Sequence, residues 1–166
     1  VASRGLGDVY KRQAHMSVDE LDTLFNKRSG MMGLTGFGDL REVHRLVEEG
    51  NEDAKLALDI YVHRIVGYIG NYTAQMGGVD VITFTAGVGE NDDVVRKMVC
   101  DKLAPFGVKL DEEKNATRSK EPRIISTPDS AVTICVIPTN EELAIARKSA
   151  AIAEEGKDSY GNVFSK

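Results

Sequence analysis

Apolar residues recur at helical spacing in five stretches of the chain and cluster as in buried strands in three more. Helices bury one stripe of residues and strands bury alternate residues, so the two patterns are distinguishable. Helices are predicted between Ser17 and Ser29, Asp39 and Gly50, Asn51 and Gly77, Asn91 and Leu103, and Glu141 and Glu155. Strands are predicted at 80–86, 123–126 and 131–137, with a shorter one at 108–110. Buried strands that alternate with helices indicate a layered α/β domain.

Capping residues predict where three of the helices begin. Ser17 and Glu20 have capping-box spacing, Asp39 is a predicted N-cap, and Asn51 opens the longest helix. The longest helix is apolar over a wide arc, which predicts that it is sandwiched between other elements. The segment from Met31 to Asp39 is rich in glycine and is predicted to be a loop that borders a ligand.

The connection after the first predicted strand is the most informative part of the sequence. A β-branched, apolar run ends in Gly87–Asn91, and a charged segment with helical spacing follows at once. Glycine has no Cβ, so Gly87 and Gly89 are able to adopt positive φ and leave room for a nucleotide. We expect the amides of Gly87, Val88 and Gly89 to face the ligand, with Asn91 capping the next helix or contacting adenosine. The alternative is a plain strand-to-helix turn, which would give the same pattern of residues. The pattern matches neither the P-loop motif nor the dinucleotide-binding fingerprint.

Two further groups of residues are candidates for ligand binding. Asp39-Leu40-Arg41 follows the glycine-rich segment, and a guanidinium both stacks on bases and forks around phosphates. The alternative is a helix cap followed by a solvated arginine. Glu141 lies just beyond the last predicted strand, where a carboxylate is well sited to help hold Mg²⁺. The alternative is an acidic residue in the first turn of the last helix.

The composition narrows the class of protein. The 166 residues are 42% hydrophobic and 28% charged with a formal charge of −5, which argues against a nucleic-acid partner. No apolar run approaches the roughly 20 residues that cross a bilayer, so no membrane partner is expected. Cys100 and Cys135 belong to no paired motif and are predicted to be buried free thiols in a reducing cytoplasm. His15, His44 and His63 have no metal-ligand spacing.

Five motifs, in this order and spacing, resemble the carboxy-terminal part of the acetate kinases. The resemblance runs from about Ser17 to about Ala150. The motifs are Asn26-Lys27-Arg28-Ser29-Gly30, Gly33-Leu34-Thr35-Gly36, Asp39-Leu40-Arg41, Phe84-Thr85-Ala86-Gly87-Val88-Gly89-Glu90-Asn91 and Ile137-Pro138-Thr139-Asn140-Glu141-Glu142-Leu143. Each motif is short, and it is their combined order and spacing that make the resemblance specific.

The resemblance implies an α/β fold, the carboxy-terminal half of an actin-like ATPase (ribonuclease H-like) fold, with a mixed sheet flanked by helices. It implies reversible phosphoryl transfer from ATP to acetate, giving acetyl phosphate and ADP with Mg²⁺. It also implies that Asp39, Leu40 and Arg41 line the binding site near the adenosine. The loop at the nucleotide would consist of Gly87, Val88, Gly89, Glu90 and Asn91. The magnesium-linked carboxylate would be Glu141, with Glu142 as the alternative. The family dimerises largely through this half, so the full-length protein is expected to be a homodimer.

The chain departs from the family in length and in its ends. Family members are more than twice as long, and the chain contains no Thr-Arg-Ser-Gly-Asp stretch and no His-Leu-Gly-x-Gly phosphate loop. No catalytic residue is therefore predicted in it. Residues 1–14 are predicted to be a tail foreign to the domain, 15–155 the carboxy-terminal nucleotide-binding domain, and 156–166 a polar tail.

The expected protein is thus a fragment of an acetate kinase that turns over negligibly by itself. Three alternatives stay open from the sequence. The first alternative is a nucleotide-binding half-domain without catalytic activity, and the second is a structural or dimer-forming domain. The third is part of a propionate or butyrate kinase whose acyl pocket lies in the missing region.

Overall fold

The protein is described by a computed structural model over residues 13–155. The predicted tail at 156–166 and nearly all of the one at 1–14 lie outside the described residues, so the domain boundaries stay a prediction. The chain divides into two compact units, Val1–Gln75 and Met76–Lys166.

Four helices form the described part of the first unit. They are Val18–Lys27 (α1), Gly30–Thr35 (α2), Leu40–Glu48 (α3) and Glu52–Met76 (α4), the last of which ends on the first residue of the second unit. The predicted N-caps at Ser17 and Asp39 are confirmed, and Asn51 caps the helix that it was predicted to open. The Ser17 N–H donates to Glu20 Oε2 at 2.7 Å, Asp39 Oδ1 accepts from the Arg41 N–H at 2.9 Å, and Asn51 Oδ1 accepts from the Ala54 N–H at 2.9 Å.

Two predictions for the first unit are wrong. The glycine-rich segment from Met31 begins with helix α2 rather than a continuous loop, because Thr35 Oγ1 donates to the Met31 carbonyl and Gly36 ends the helix at φ 78°. Helix α4 is not sandwiched. Only one narrow face is buried, formed by Ala54, Ala57, Leu58 and Val62. Large apolar side chains on its other faces are exposed, namely Leu56, Ile60, Tyr68, Tyr72 and Met76.

A three-stranded mixed sheet organises the second unit. Its strands are Val81–Phe84 (β1), Arg123–Ile124 (β2) and Thr133–Val136 (β3), in the order β1-β3-β2. β1 and β3 are parallel, and β2 is antiparallel to β3. The sheet confirms the three longer strand predictions. The predicted strand at 108–110 is wrong, because only a single bridge, between Leu110 and Ser126, forms there.

Helices accompany this sheet along the chain. They are Ala86–Asn91 (α5), Asp93–Leu103 (α6), a 3₁₀ turn at Ala104–Phe106, Glu112–Ala116 (α7) and Glu141–Glu155 (α8). The core is aliphatic, with Val99, Ile125, Ile134 and Val136 fully buried. Cys100 and Cys135 are free thiols, and Cys100 is buried as predicted, whereas Cys135 is only half-buried. Burial raises the pKa of Cys100 to about 11. Among residues 13–155, no helix combines the length and apolarity that crossing a membrane requires.

Candidate functional site

The glycine turn and the segment before α8 lie side by side at one edge of the sheet. Because β1 and β3 are parallel, both strands end at this edge, at Phe84 and Val136. The Ile137 N–H donates to the Phe84 carbonyl at 2.9 Å and extends the pairing one residue further. Ligands of α/β sheets bind beyond the carboxyl ends of the strands, so this edge is the natural place for a site.

A side-chain contact joins the two segments. Glu90 Oε1 accepts hydrogen bonds from the Thr139 N–H at 2.8 Å and from Thr139 Oγ1 at 3.1 Å. These bonds, that from the backbone N–H above all, lower the pKa of Glu90, because they favour its charged form. The carboxylate of Glu90 is therefore occupied in holding the turn to the segment before α8.

The glycine turn differs from its predicted form. Residues 86–91 form the short helix α5, and neither Gly87 nor Gly89 has positive φ, whereas Ala86 does, at 59°. The two glycines serve different purposes. A Cβ on Gly89 would lie 3.1 Å from the carbonyl carbon of Phe84, so this glycine allows α5 to pack on β1. A Cβ on Gly87 would meet no atom within 4 Å, so open space lies beside this exposed residue.

Asn91 does not cap the following helix. The Asp92 side chain takes that role by accepting from the Val95 N–H at 2.9 Å, because the helix begins one residue later than predicted. Asn91 Nδ2 instead donates to the Gly87 carbonyl at 2.8 Å. The side chain of Thr85 makes no capping bond to α5, and the first amides of a helix have no partner within the helix. The amides of Gly87 and Val88, in the first turn of α5, are therefore candidates for the predicted cradle, which stays a prediction. Gly89, also predicted to face the ligand, instead allows α5 to pack on β1.

Arg96 contacts the same turn and Asn115 holds Arg96, and neither residue was singled out from the sequence. Arg96 Nη1 donates to the carbonyls of Gly89 and Glu90, both at 3.0 Å, and Asn115 Oδ1 accepts from Arg96 Nε at 2.7 Å. A signal was present, since Arg96 stands three residues before Val99, on the apolar face of its helix.

Asp39, Leu40 and Arg41 lie in the first unit, at the start of α3. The Arg41 guanidinium forks around Asp39, with Nε 3.1 Å from both carboxylate oxygens. Hydrogen bonds from the side chain and then the backbone of Arg41 lower the pKa of Asp39 to about 2. The arginine side chain is 89% exposed, so the faces of its guanidinium stay open to stacking. Leu40 is half-buried.

Glu141 is exposed in the first turn of α8, and the preceding Asn140 caps the helix by accepting from the Leu143 N–H at 2.9 Å. Within residues 13–155, no group of three or more His, Cys, Asp or Glu is arranged to hold a metal ion. Mg²⁺ usually takes one or two carboxylates together with water and substrate phosphates. One carboxylate does not complete a Mg²⁺ site by itself, so the predicted metal role of Glu141 stays a prediction.

A surface cavity of about 500 Å³ lies at the start of β1 and not at its end. It is lined by Met76, Gly77, Gly78, Val79, Asp80 and Val81. The charged group in this lining is a carboxylate, which repels phosphate. The cavity is therefore a poor match for a nucleotide, and the edge at Gly87 is the better candidate.

Known proteins share this arrangement of fold and motifs. The model of the acetokinase family matches residues 8–147, and the chain belongs to that family. The acetate kinase of Leifsonia xyli is 54% identical over 138 residues, which cover 83% of this chain and 35% of the relative. That of Corynebacterium efficiens is 51% identical over 143 residues, or 86% of this chain and 36% of the relative. The chain thus spans about a third of the length of the curated relatives it matches.

Solved structures confirm the predicted fold class. The crystal structure of Porphyromonas gingivalis acetate kinase matches with a TM-score of 0.80 at 38% identity, over 90% of this chain and 38% of that one. A propionate kinase from Francisella tularensis matches with a TM-score of 0.77 at 36% identity, over 86% of this chain and 36% of that one.

Proposed function

We propose that this chain is the nucleotide-binding part of an acetate kinase, an enzyme that transfers a phosphoryl group reversibly between ATP and acetate. One observation carries the proposal above all. The open space beside Gly87 lies at the edge where β1 and β3 end, next to first-turn amides of α5 that the Thr85 side chain does not cap. Membership of the acetokinase family supports the reaction.

The residues have distinct roles in this proposal. The amides of Gly87 and Val88 bind the nucleotide, and Asn91 fixes the Gly87 carbonyl from the next turn. Glu90 holds the turn in place, because its Oε1 accepts both hydrogen bonds from Thr139. On the family resemblance, Asp39, Leu40 and Arg41 line the binding site near the adenosine. Glu141 would hold Mg²⁺ that accompanies the nucleotide, and the ion would neutralise charge on the phosphates.

Titration of the 166-residue chain with labelled ADP tests the proposed site. Gly87→Val is expected to weaken binding at least about tenfold, because valine fills the space beside the main chain. The matched control is Gly67→Val, since Gly67 is an exposed helical glycine that also has open space around it. Equal affinity in both variants, or no binding by the unsubstituted chain, would refute the site.

The same titration with Mg²⁺ examines the metal-linked carboxylate. We expect Mg²⁺ to strengthen ADP binding in the unsubstituted chain and Glu141→Gln to abolish that gain. The Glu142→Gln variant is the control, and it keeps the gain if Glu141 is the residue involved. Loss of the gain in Glu142→Gln alone would move the assignment to the neighbouring residue.

A propionate kinase is the second candidate, favoured by the similarity to the propionate kinase from Francisella tularensis. Both readings use the same nucleotide turn and differ in the acyl group that accepts the phosphate. The two candidates are distinguished by enzyme kinetics. The longest natural protein that contains this sequence would be assayed with acetate and with propionate as the substrate.

A homodimer of the full-length protein is the proposed assembly, and the exposed apolar residues of α4 support it. Tyr68 and Tyr72 are 53% and 55% exposed, with their rings stacked 6.4 Å apart. Exposed apolar patches commonly mark interfaces. We expect analytical sedimentation to show a dimer and Tyr72→Glu to weaken its association. Asn71→Glu, at the adjacent exposed polar residue, is the control and should leave the dimer unchanged. A monomer at all concentrations would contradict this assembly.

A further inference from the structure

Arg96 is a buried cation that the proposed function leaves without a role. It lies on α6 and is only 2% exposed. Burial, and next the repulsion of Arg123, lower the pKa of Arg96. Burying a guanidinium is costly unless its donors are satisfied, so the contacts that satisfy them show what its position achieves.

Main-chain oxygens and the side-chain oxygen of one asparagine accept the hydrogen bonds that this guanidinium donates. Nη1 donates to the carbonyls of Gly89 and Glu90, both at 3.0 Å. Nε and Nη2 donate to Oδ1 and to the main-chain carbonyl of Asn115, both at 2.7 Å. Asn115 Nδ2 in turn donates to the Asp93 carbonyl at 2.9 Å. Asn115 thus fixes the guanidinium plane, and Nη1 points at the end of α5.

Helix α5 needs such support. It has six residues, too few for a helix to be stable by itself, and two of them are glycines. Ala86 starts it at a φ of 59°, a conformation that persists only where the surroundings hold it. The last carbonyls of a helix have no partner within the helix, and those of Gly89 and Glu90 find one in Arg96.

We infer that Arg96 is a positioning residue for the nucleotide, whose two hydrogen bonds to the carbonyls of Gly89 and Glu90 hold the turn at Gly87 in its binding form. The inference rests on the proposed function, because the turn is the proposed nucleotide site. Arg96 lies behind the turn, on its core side, and acts through the main chain. Lysine at this position would keep the charge and lose the planar guanidinium, in which Asn115 holds Nε and Nη2 so that Nη1 reaches both carbonyls.

Amide hydrogen exchange of the 166-residue chain without nucleotide tests the positioning directly. The Asp92 N–H donates to the Val88 carbonyl at 2.9 Å and reports on α5, and the Ile125 N–H donates to the Ile134 carbonyl at 2.8 Å and reports on the sheet. Arg96→Lys is expected to speed exchange at Asp92 about tenfold more than at Ile125. Lys97→Gln is the matched control, because Lys97 neighbours Arg96 and pairs with surface acids, and it leaves the ratio unchanged.

The ADP titration gives the functional readout. We expect Arg96→Lys to weaken ADP binding about tenfold and Lys97→Gln to leave it unchanged. An unchanged ratio of exchange rates in Arg96→Lys overturns the inference. Failure of the unsubstituted chain to bind ADP refutes the proposed function, while the exchange ratio still decides whether Arg96 holds the turn.

A second variant covers the case in which Arg96→Lys unfolds the chain. Asn115→Ala removes the oxygen that orients Nε and keeps both bonds from Nη1 to α5. We expect it to speed exchange at Asp92 by a few-fold and to leave Ile125 unchanged. Equal acceleration at the two amides would overturn the inference.

Discussion

Arg41 and Asp39 show how one pair of residues serves a local structural purpose and a proposed binding purpose together. Asp39 caps α3 through the Arg41 N–H, and its oxygens also hold the edges of the Arg41 guanidinium. The cap was predictable from the residue type at the start of an amphipathic stretch. The fork was not, because it depends on rotamers that the sequence does not reveal.

The first prediction concerns the pKa of Asp39. Arg41→Ala removes the side-chain hydrogen bonds that contribute most to its lowering, so the pKa should rise from about 2 towards its usual 3.8 without reaching it. The remaining difference comes from the backbone N–H of residue 41. Carboxyl carbon shifts from an NMR titration measure this change.

The sign of the pH effect follows from that shift. A folded pKa below the unfolded one stabilises the fold above pH 3.8, and this contribution is lost as the pH falls towards about 2. Arg45→Ala is the control, because Arg45 pairs with Glu42 and Glu49 on the same helix. A pKa that stays at about 2 in Arg41→Ala would show that the cap alone produces the lowering.

Among the elements, those that were predicted correctly have strong local signals. The capping box at Ser17, the cap at Asp39 and the β-branched strands all depend on residues close in sequence. Helices α2 and α5 were missed because glycine disfavours helix, and contacts distant in sequence override that preference in α5. Glu90 and Thr139 are 49 residues apart, and Arg96 and Asn115 are 19 apart. Spacing along the chain does not reveal such pairs.

The second prediction concerns the link between α5 and the segment before α8. Since the Thr139 N–H donates to Glu90, the Thr139 amide shift should titrate with the carboxylate, at a midpoint below the usual 4.5 of glutamate. The bond is present above that pH and is lost as the pH falls through the folded pKa. Glu90→Gln should abolish the titration of the amide. Glu142→Gln, at an exposed residue nearby, should preserve it, and a flat profile in the unsubstituted chain would contradict the link.

Across the whole molecule, the motifs predicted the family and the fold class correctly, and the two compact units were not foreseen. Five motifs spread over most of the sequence identify a family better than any one of them. A division into units depends on where contacts are dense, which the pattern of apolar residues does not determine. The positions of the binding residues stay a prediction.

The last prediction is that the 166-residue chain forms no acetyl phosphate. Phosphoryl transfer needs an acceptor held in line and cations on the transferring oxygens. The guanidiniums of Arg41 and Arg96 are committed to Asp39 and to main-chain carbonyls, and the chain spans about a third of the acetate kinases it matches. With ATP, Mg²⁺ and acetate, hydroxylamine should trap no more product from the unsubstituted chain than from Gly87→Val, while the Leifsonia xyli enzyme serves as the positive control. Robust product formation that Gly87→Val abolishes would show that the chain contains a complete acceptor site.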